Sequence, residues 1–310
     1  MKLKTIITAT ILAMAANCSC IVSGDNNTQS NILTTKAVTP AKPTKAIRPF
    51  KRLRAQVDTT ITLPSANMPS PVKVSVAVPA GYLTSDTTSY PVVFLLNGYG
   101  GNNKDYPTRM KLDSLATAYG MIFVCPDGRD SWYWDSPVVK GQRMESFIVN
   151  DLVKFADDSL RTIPDRDHRA IAGLSMGGHG ALFIAMRHSD VFSSAGAMSG
   201  GVDITQPKFH NSWKMKKWLG EYKANPKRWA EHTVINLVPT LKPGQLNIIF
   251  SCGADDFFYK VNNALDSAMT KHNIPHTYLT TPGYGHSWAY WRMALPTQLD
   301  FFKKQFDKAE

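Results

Sequence analysis

The sequence predicts one α/β domain with a mostly parallel, doubly wound sheet, helices on both faces and a small helical insert. Five apolar runs, PVVFLLNG, MIFVCPDG, HRAIAGLS, SSAGAMSG and LNIIFSCG, each end at glycine or a turn residue. Runs without polar alternation suit strands buried on both faces, as a parallel sheet requires. Helical stretches lie between them, clearest in TRMKLDSLATAYG, ESFIVNDLVKFADDSLRTI, MGGHGALFIAMRH and VNNALDSAMTKHN. This strand-helix alternation, with no internal repeat, points to a doubly wound sheet.

The elements follow in chain order. Residues 1–21 begin with Lys2 and Lys4, continue through the apolar stretch TIITATILAMAA and end in small residues with Cys18 and Cys20. A positive start, a short apolar segment and small residues are the layout of an export signal. The chain is therefore expected to be periplasmic, cell-surface or secreted. Either cysteine is a candidate for lipid attachment, which would be the one route to a membrane; Asn17 departs from the small residue usual in a lipoprotein cleavage box. Residues 22–54 are rich in Ser, Thr, Asn, Pro and Lys, too poor in large apolar groups to repay ordering, and are read as a flexible linker.

The folded part is placed at residues 55–310. AQVDTTITL and VKVSVAVP alternate apolar and polar residues, as half-buried antiparallel strands do. The five continuous runs come next. Residues 205–240, with Trp213, Trp218 and Trp229, interrupt the rhythm and are expected to form short helices over the strand ends. HTYLTTP supplies a last strand and WAYWRMALPTQLDFFKKQF a last helix.

The basic balance carries no partner. Of the net charge of +11, residues 1–54 hold +8, which leaves +3 from residue 55 onward. Nucleic-acid binding needs cations concentrated on the folded domain, so that class is set aside. Cys125 and Cys252 are read as buried small residues rather than a disulfide.

The motif Gly173-Leu174-Ser175-Met176-Gly177 follows the run HRAIA and opens a small-residue helix. A sharp strand-to-helix turn lifts the serine hydroxyl above the sheet and aims the helix N-terminus at it; side chains at Gly173 or Gly177 would collide with neighbouring elements. A hydroxyl nucleophile needs a base within reach, and the base needs an anion to hold its tautomer. After LNIIFSCG come Asp255 and Asp256, and after the last strand comes His286 in a glycine-rich loop. The order Ser, Asp, His matches this strand-end logic. Asp256 ranks first as the acid, Asp255 second and Asp203, after the preceding strand, third.

Attack on an ester also builds charge on the carbonyl oxygen, so backbone amides must be aimed there, each worth roughly 2.7 to 4 kcal/mol of barrier. Met176 N–H is one candidate donor; Tyr99 N–H, in the Gly98-Tyr99-Gly100-Gly101 loop, is the other. Trp132, Tyr133 and Trp134 follow the next strand and either line an acyl pocket or cap the core. Serine chemistry of this kind calls for no metal or cofactor.

The stretches LLNGYGG, VCPDGRDSWYWDSP, RAIAGLSMGGHGALFIAMRHSDVFSSAGAMSG, SCGADDFFYKVNNAL and GYGHSWAYW together resemble the esterase D and tributyrin esterase group of α/β hydrolases. That group includes the feruloyl and acetyl esterases of carbohydrate esterase family one. The resemblance covers about residues 56–305 and implies the α/β-hydrolase fold, with Ser175 as nucleophile, Asp256 as acid, His286 as base, and Tyr99 and Met176 at the oxyanion hole. Relatives usually carry His-Gly where this chain has Asn97-Gly98, a change that bears on loop packing. Cytosolic members cleave S-formylglutathione, exported members cleave feruloyl or short acyl groups from plant carbohydrates, and mycobacterial members transfer mycolyl groups. With an export signal, the resemblance implies a serine carboxylesterase acting on a small-molecule or carbohydrate ester. An acyltransferase using the same triad and a thioesterase like the S-formylglutathione hydrolases stand as alternatives.

Overall fold

The computed structural model describes residues 59–309. The expected export signal, the linker and the domain start at residue 55 lie outside the described residues. Eight strands form one sheet: β1 (Thr59–Leu63), β2 (Val72–Ala77), β3 (Val92–Leu96), β4 (Ile122–Pro126), β5 (Arg169–Leu174), β6 (Ser194–Met198), β7 (Asn247–Gly253) and β8 (Thr277–Thr281). Their spatial order is β1-β2-β4-β3-β5-β6-β7-β8. The two alternating strands pair antiparallel, β1 with β2 and β2 with β4, and every other pairing is parallel.

The continuous apolar runs have a direct structural cause. Val92, Phe94 and Leu96 of β3 join one core, while Val93 and Leu95 join another on the opposite face. In β5, Ile171 faces the first core and Ala170, Ala172 and Leu174 the second. The helix Met176–Arg187 buries its side chains in the first core. The helices Leu112–Tyr119 and Trp288–Phe306 close the second. Both faces of the central strands are thus dry, and alternation disappears from their sequence.

Two helices differ from the sequence reading. The stretch at 108–120 is two helices, Asp105–Met110 and Leu112–Tyr119, separated by Lys111 in a left-handed conformation at φ 48°. The stretch at 145–163 contains a wider π-helical turn, Phe147–Leu152, before the α-helix Val153–Ser159. Residues 205–240 form five short turns of helix, as expected. They pack on the loop after β4, where Ser136 Oγ donates to the Trp218 carbonyl and Trp132 Nε1 to that of Trp213. Cys125 and Cys252 are buried and unbridged. Among the described residues no helix is long and apolar enough to cross a membrane.

Candidate active site

The turn between β5 and the following helix sets the site. Ser175 has φ 56° and ψ −118°, a conformation that few residues with a Cβ adopt. It is held because the chain reverses in contact with its neighbours. A Cβ on Gly177 would stand 2.0 Å from the Leu96 carbonyl oxygen, and one on Gly173 would stand 2.3 Å from backbone atoms of Gly177. Neither obstruction is a flexible side chain, so both glycines are required. Gly177→Ala is expected to destabilise the fold by about 3 kcal/mol, at the upper end for overpacking. A denaturation midpoint equal to that of the unsubstituted chain would contradict this close approach.

The turn brings three of the expected residues into a relay. Ser175 Oγ lies 2.8 Å from His286 Nε2, and His286 Nδ1 lies 2.9 Å from Asp256 Oδ2. Asp256 is buried, and its other oxygen accepts the Phe258 amide at 2.8 Å. With its Nδ1 proton donated to the carboxylate, His286 turns a lone pair toward the serine hydroxyl. The other two acids lie elsewhere. Asp255 is exposed, and Asp203 accepts hydrogen bonds from the Thr205 amide and hydroxyl and from Gln206 Nε2, at the start of the insert.

Met176 opens its helix directly after Ser175, and Gly98, Tyr99, Gly100 and Gly101 lie with Ser175 and His286 along one cleft of about 420 Å³. Among the described residues no acceptor satisfies the Met176 or Tyr99 amide. A Cβ on Gly98 would meet Leu174 Cδ1 at 2.7 Å, which shows how closely this loop rides over the Ser175 turn. Asn97, where the sequence departs from the usual histidine, ties that loop down. Its Oδ1 accepts the Gly128 amide at 2.9 Å, and its Nδ2 donates to the Gly98 carbonyl at 2.9 Å.

The expectation that Trp132, Tyr133 and Trp134 line an acyl pocket is corrected by their placement. All three are buried and none reaches the cleft. Trp132 and Tyr133 both have positive φ, 55° and 64°, in a loop whose three rings are packed into the core. Tyr133 OH donates to the Asn97 carbonyl at 3.0 Å, and its ring fills the space where Gly180 lacks a side chain. Trp134 Nε1 donates to His179 Nε2 at 2.9 Å. These aromatics support the loop at residues 98–101 and the helix Met176–Arg187 from within.

The cleft wall is instead made by Trp213, Phe257, Trp288 and Trp291, with Asp105 and Arg109. Sequence reasoning assigned none of these to the substrate. Proximity was the available signal: Trp288 and Trp291 follow His286 in GYGHSWAYW, and Phe257 follows Asp256. Phe257 and Trp291 have their ring centroids 4.3 and 5.0 Å from that of His286. Trp291 is fixed by its Nε1 donating to Ser199 Oγ at 3.1 Å. Among the described residues no group of three or more His, Cys, Asp or Glu side chains is arranged to hold a metal.

His179, on the helix Met176–Arg187, is structural. Its Nδ1 donates to the Gly201 carbonyl at 2.9 Å while Nε2 accepts from Trp134. Burial lowers its pKa from 6.5 to about 3, partly opposed by the Gly201 carbonyl. The native ring therefore refuses a proton that the unfolded chain accepts below pH 6.5. Stability from this neutral ring is complete above that pH and is lost as pH falls toward about 3, by up to about 1.4 kcal/mol per pH unit. Urea midpoints measured across this range are expected to fall less steeply in His179→Gln than in the parent; equal slopes would contradict the assignment.

Comparisons with known proteins place the chain among esterases. A family model described as putative esterase matches residues 65–302. The chain is 26% identical over 234 residues to an acetyl esterase of Caldicellulosiruptor saccharolyticus, covering 72% of this chain and 86% of that protein. It is 24% identical over 229 residues to the S-formylglutathione hydrolase of Bos taurus, covering 66% of this chain and 79% of that one. A solved ferulic acid esterase superposes with a TM-score of 0.69 at 28% identity, over 80% of this chain and 98% of that structure. The family match spans the sheet from the β1–β2 connection to the last helix, including the serine turn and its histidine and carboxylate, and on that ground the chain belongs to the putative esterase family and is a carboxylic ester hydrolase.

Proposed function

We propose that the chain is an exported serine esterase that hydrolyses short-chain acyl or feruloyl esters, including those on plant cell-wall carbohydrates, through an acyl-enzyme on Ser175. The observation that carries this is the unbroken relay from Ser175 Oγ to His286 at 2.8 Å and on to Asp256 at 2.9 Å. His286 takes the hydroxyl proton as Ser175 attacks the ester carbon, and Asp256 stabilises the imidazolium that forms. The Met176 and Tyr99 amides receive the oxyanion. His286 then protonates the departing alcohol, and water, activated by the same ring, releases the acid.

The aromatic wall of Trp213, Phe257, Trp288 and Trp291 supports an acyl or alcohol group with a flat apolar face. The leader in residues 1–21 supports export. The test is hydrolysis of acetyl, butyryl, octanoyl and methyl feruloyl esters by the full chain. Turnover led by an acetyl, butyryl or feruloyl ester is the expected result. Silence on all four, with acyl transfer to an added sugar, would overturn the hydrolytic reading in favour of a transferase.

A further inference from the structure

The cleft carries an arginine that ester hydrolysis does not use. Arg109 lines it, and its guanidinium carbon stands 5.0 Å from the centre of the Trp288 ring. Among the described residues Arg109 makes no ion pair and no side-chain hydrogen bond. Asp105, one helical turn earlier, lines the same cleft; it accepts the Asn102 amide at 3.3 Å and acts on Arg109 through its charge without a direct ion pair. Lys208, from the insert, reaches the carbonyl of Phe257 at 3.5 Å, and Phe257 lines the cleft beside His286. The insert itself is basic: residues 205–240 hold seven lysines or arginines against Glu221 and Glu231. Lys214 and Lys217 pair with Asp130, Lys216 with Glu221 and Lys227 with Glu231, so Lys208 is what the insert contributes beside Phe257.

The side of the cleft matters. Trp288 packs on Trp291 at 5.2 Å, and Trp291 packs on His286 at 5.0 Å, while Phe257 stands 4.3 Å from His286. His286 protonates the leaving alcohol, so the aromatic wall that runs from it through Trp291 and Trp288 to Arg109 is assigned to the alcohol side of the ester. The geometry points to a substrate whose alcohol portion bears a carboxylate, an acylated uronic-acid saccharide, with Arg109 as the residue that selects it. This rests on the hydrolytic reading above. An arginine held over an aromatic ring presents a planar fork that matches a carboxylate, and the neighbouring tryptophan offers a face to the sugar ring.

The test compares an O-acylated methyl glucuronoside with its neutral uronamide, using the acyl group turned over fastest in the ester panel. The full chain is expected to favour the acid in kcat/KM by about fivefold at low salt, the scale of one solvent-exposed ion pair. The preference should reside in KM and shrink as salt is added. Arg109→Gln should bring the ratio close to one, and Arg109→Lys should keep part of it. Equal kcat/KM for the two esters, or a preference that survives Arg109→Gln, would overturn the proposal while leaving the esterase reading intact. Turnover of neither saccharide by a chain active on simple esters would overturn the saccharide class; inactivity on simple esters as well would overturn the esterase reading itself.

Discussion

Ser175→Ala is expected to lower kcat for ester hydrolysis by about 10⁶-fold, the loss seen when a serine nucleophile is removed from such a relay. The fold should survive, because alanine keeps the Cβ already accommodated at φ 56° and removes one hydroxyl whose hydrogen-bond partner is His286. Circular dichroism and the thermal midpoint check the second half of this expectation, and steady-state kinetics the first. Residual activity within about tenfold of the parent would place the nucleophile elsewhere, since truncation of a true nucleophile leaves only binding and oxyanion stabilisation.

The second large effect is expected at Asp256. Asp256→Asn should lower kcat by about 10⁴-fold with little change in fold. The reason lies in the two oxygens of this carboxylate. Oδ1 accepts the Phe258 amide at 2.8 Å, so the one oxygen of an asparagine is drawn to that site. Its NH₂ group then faces His286 Nδ1, where the carboxylate Oδ2 had stood at 2.9 Å. The imidazole must accept there, its proton moves to Nε2, and it can no longer take the serine proton. Asp255→Asn, on an exposed side chain, is expected to change kcat by less than about twofold, as surface substitutions usually do. Equal losses in the two variants would refute the assignment of the acid.

The features legible in the sequence were those written locally. The central strands announced themselves because Val92 to Leu96 feed two cores at once, which leaves a continuous apolar run. The serine turn was legible because Gly173 and Gly177 are excluded from carrying side chains by backbone atoms close by. Histidine and carboxylate followed from strand order, since both stand just beyond strands that flank the serine turn on one side of the sheet.

What escaped depended on contacts distant in sequence. Nothing local says whether the rings of Trp132, Tyr133 and Trp134 turn outward or in; Tyr133 turns inward to Asn97, and Trp134 to His179 on the helix after β5. The cleft wall is assembled from the insert, the loop after β7 and the start of the last helix, so Trp213, Phe257 and Trp288 become neighbours only on folding. The helix break at Lys111 was likewise hidden, because lysine carries no local preference for the left-handed conformation it adopts there.

The most direct test of the account is peptide mapping by mass spectrometry after the full chain is incubated with a fluorophosphonate, which bonds covalently to an activated serine oxygen. A single adduct on Ser175, lost in His286→Ala, is the predicted result. Inactivation by the reagent with Ser175 unmodified, or an adduct that forms equally well without His286, would contradict a serine activated by this relay.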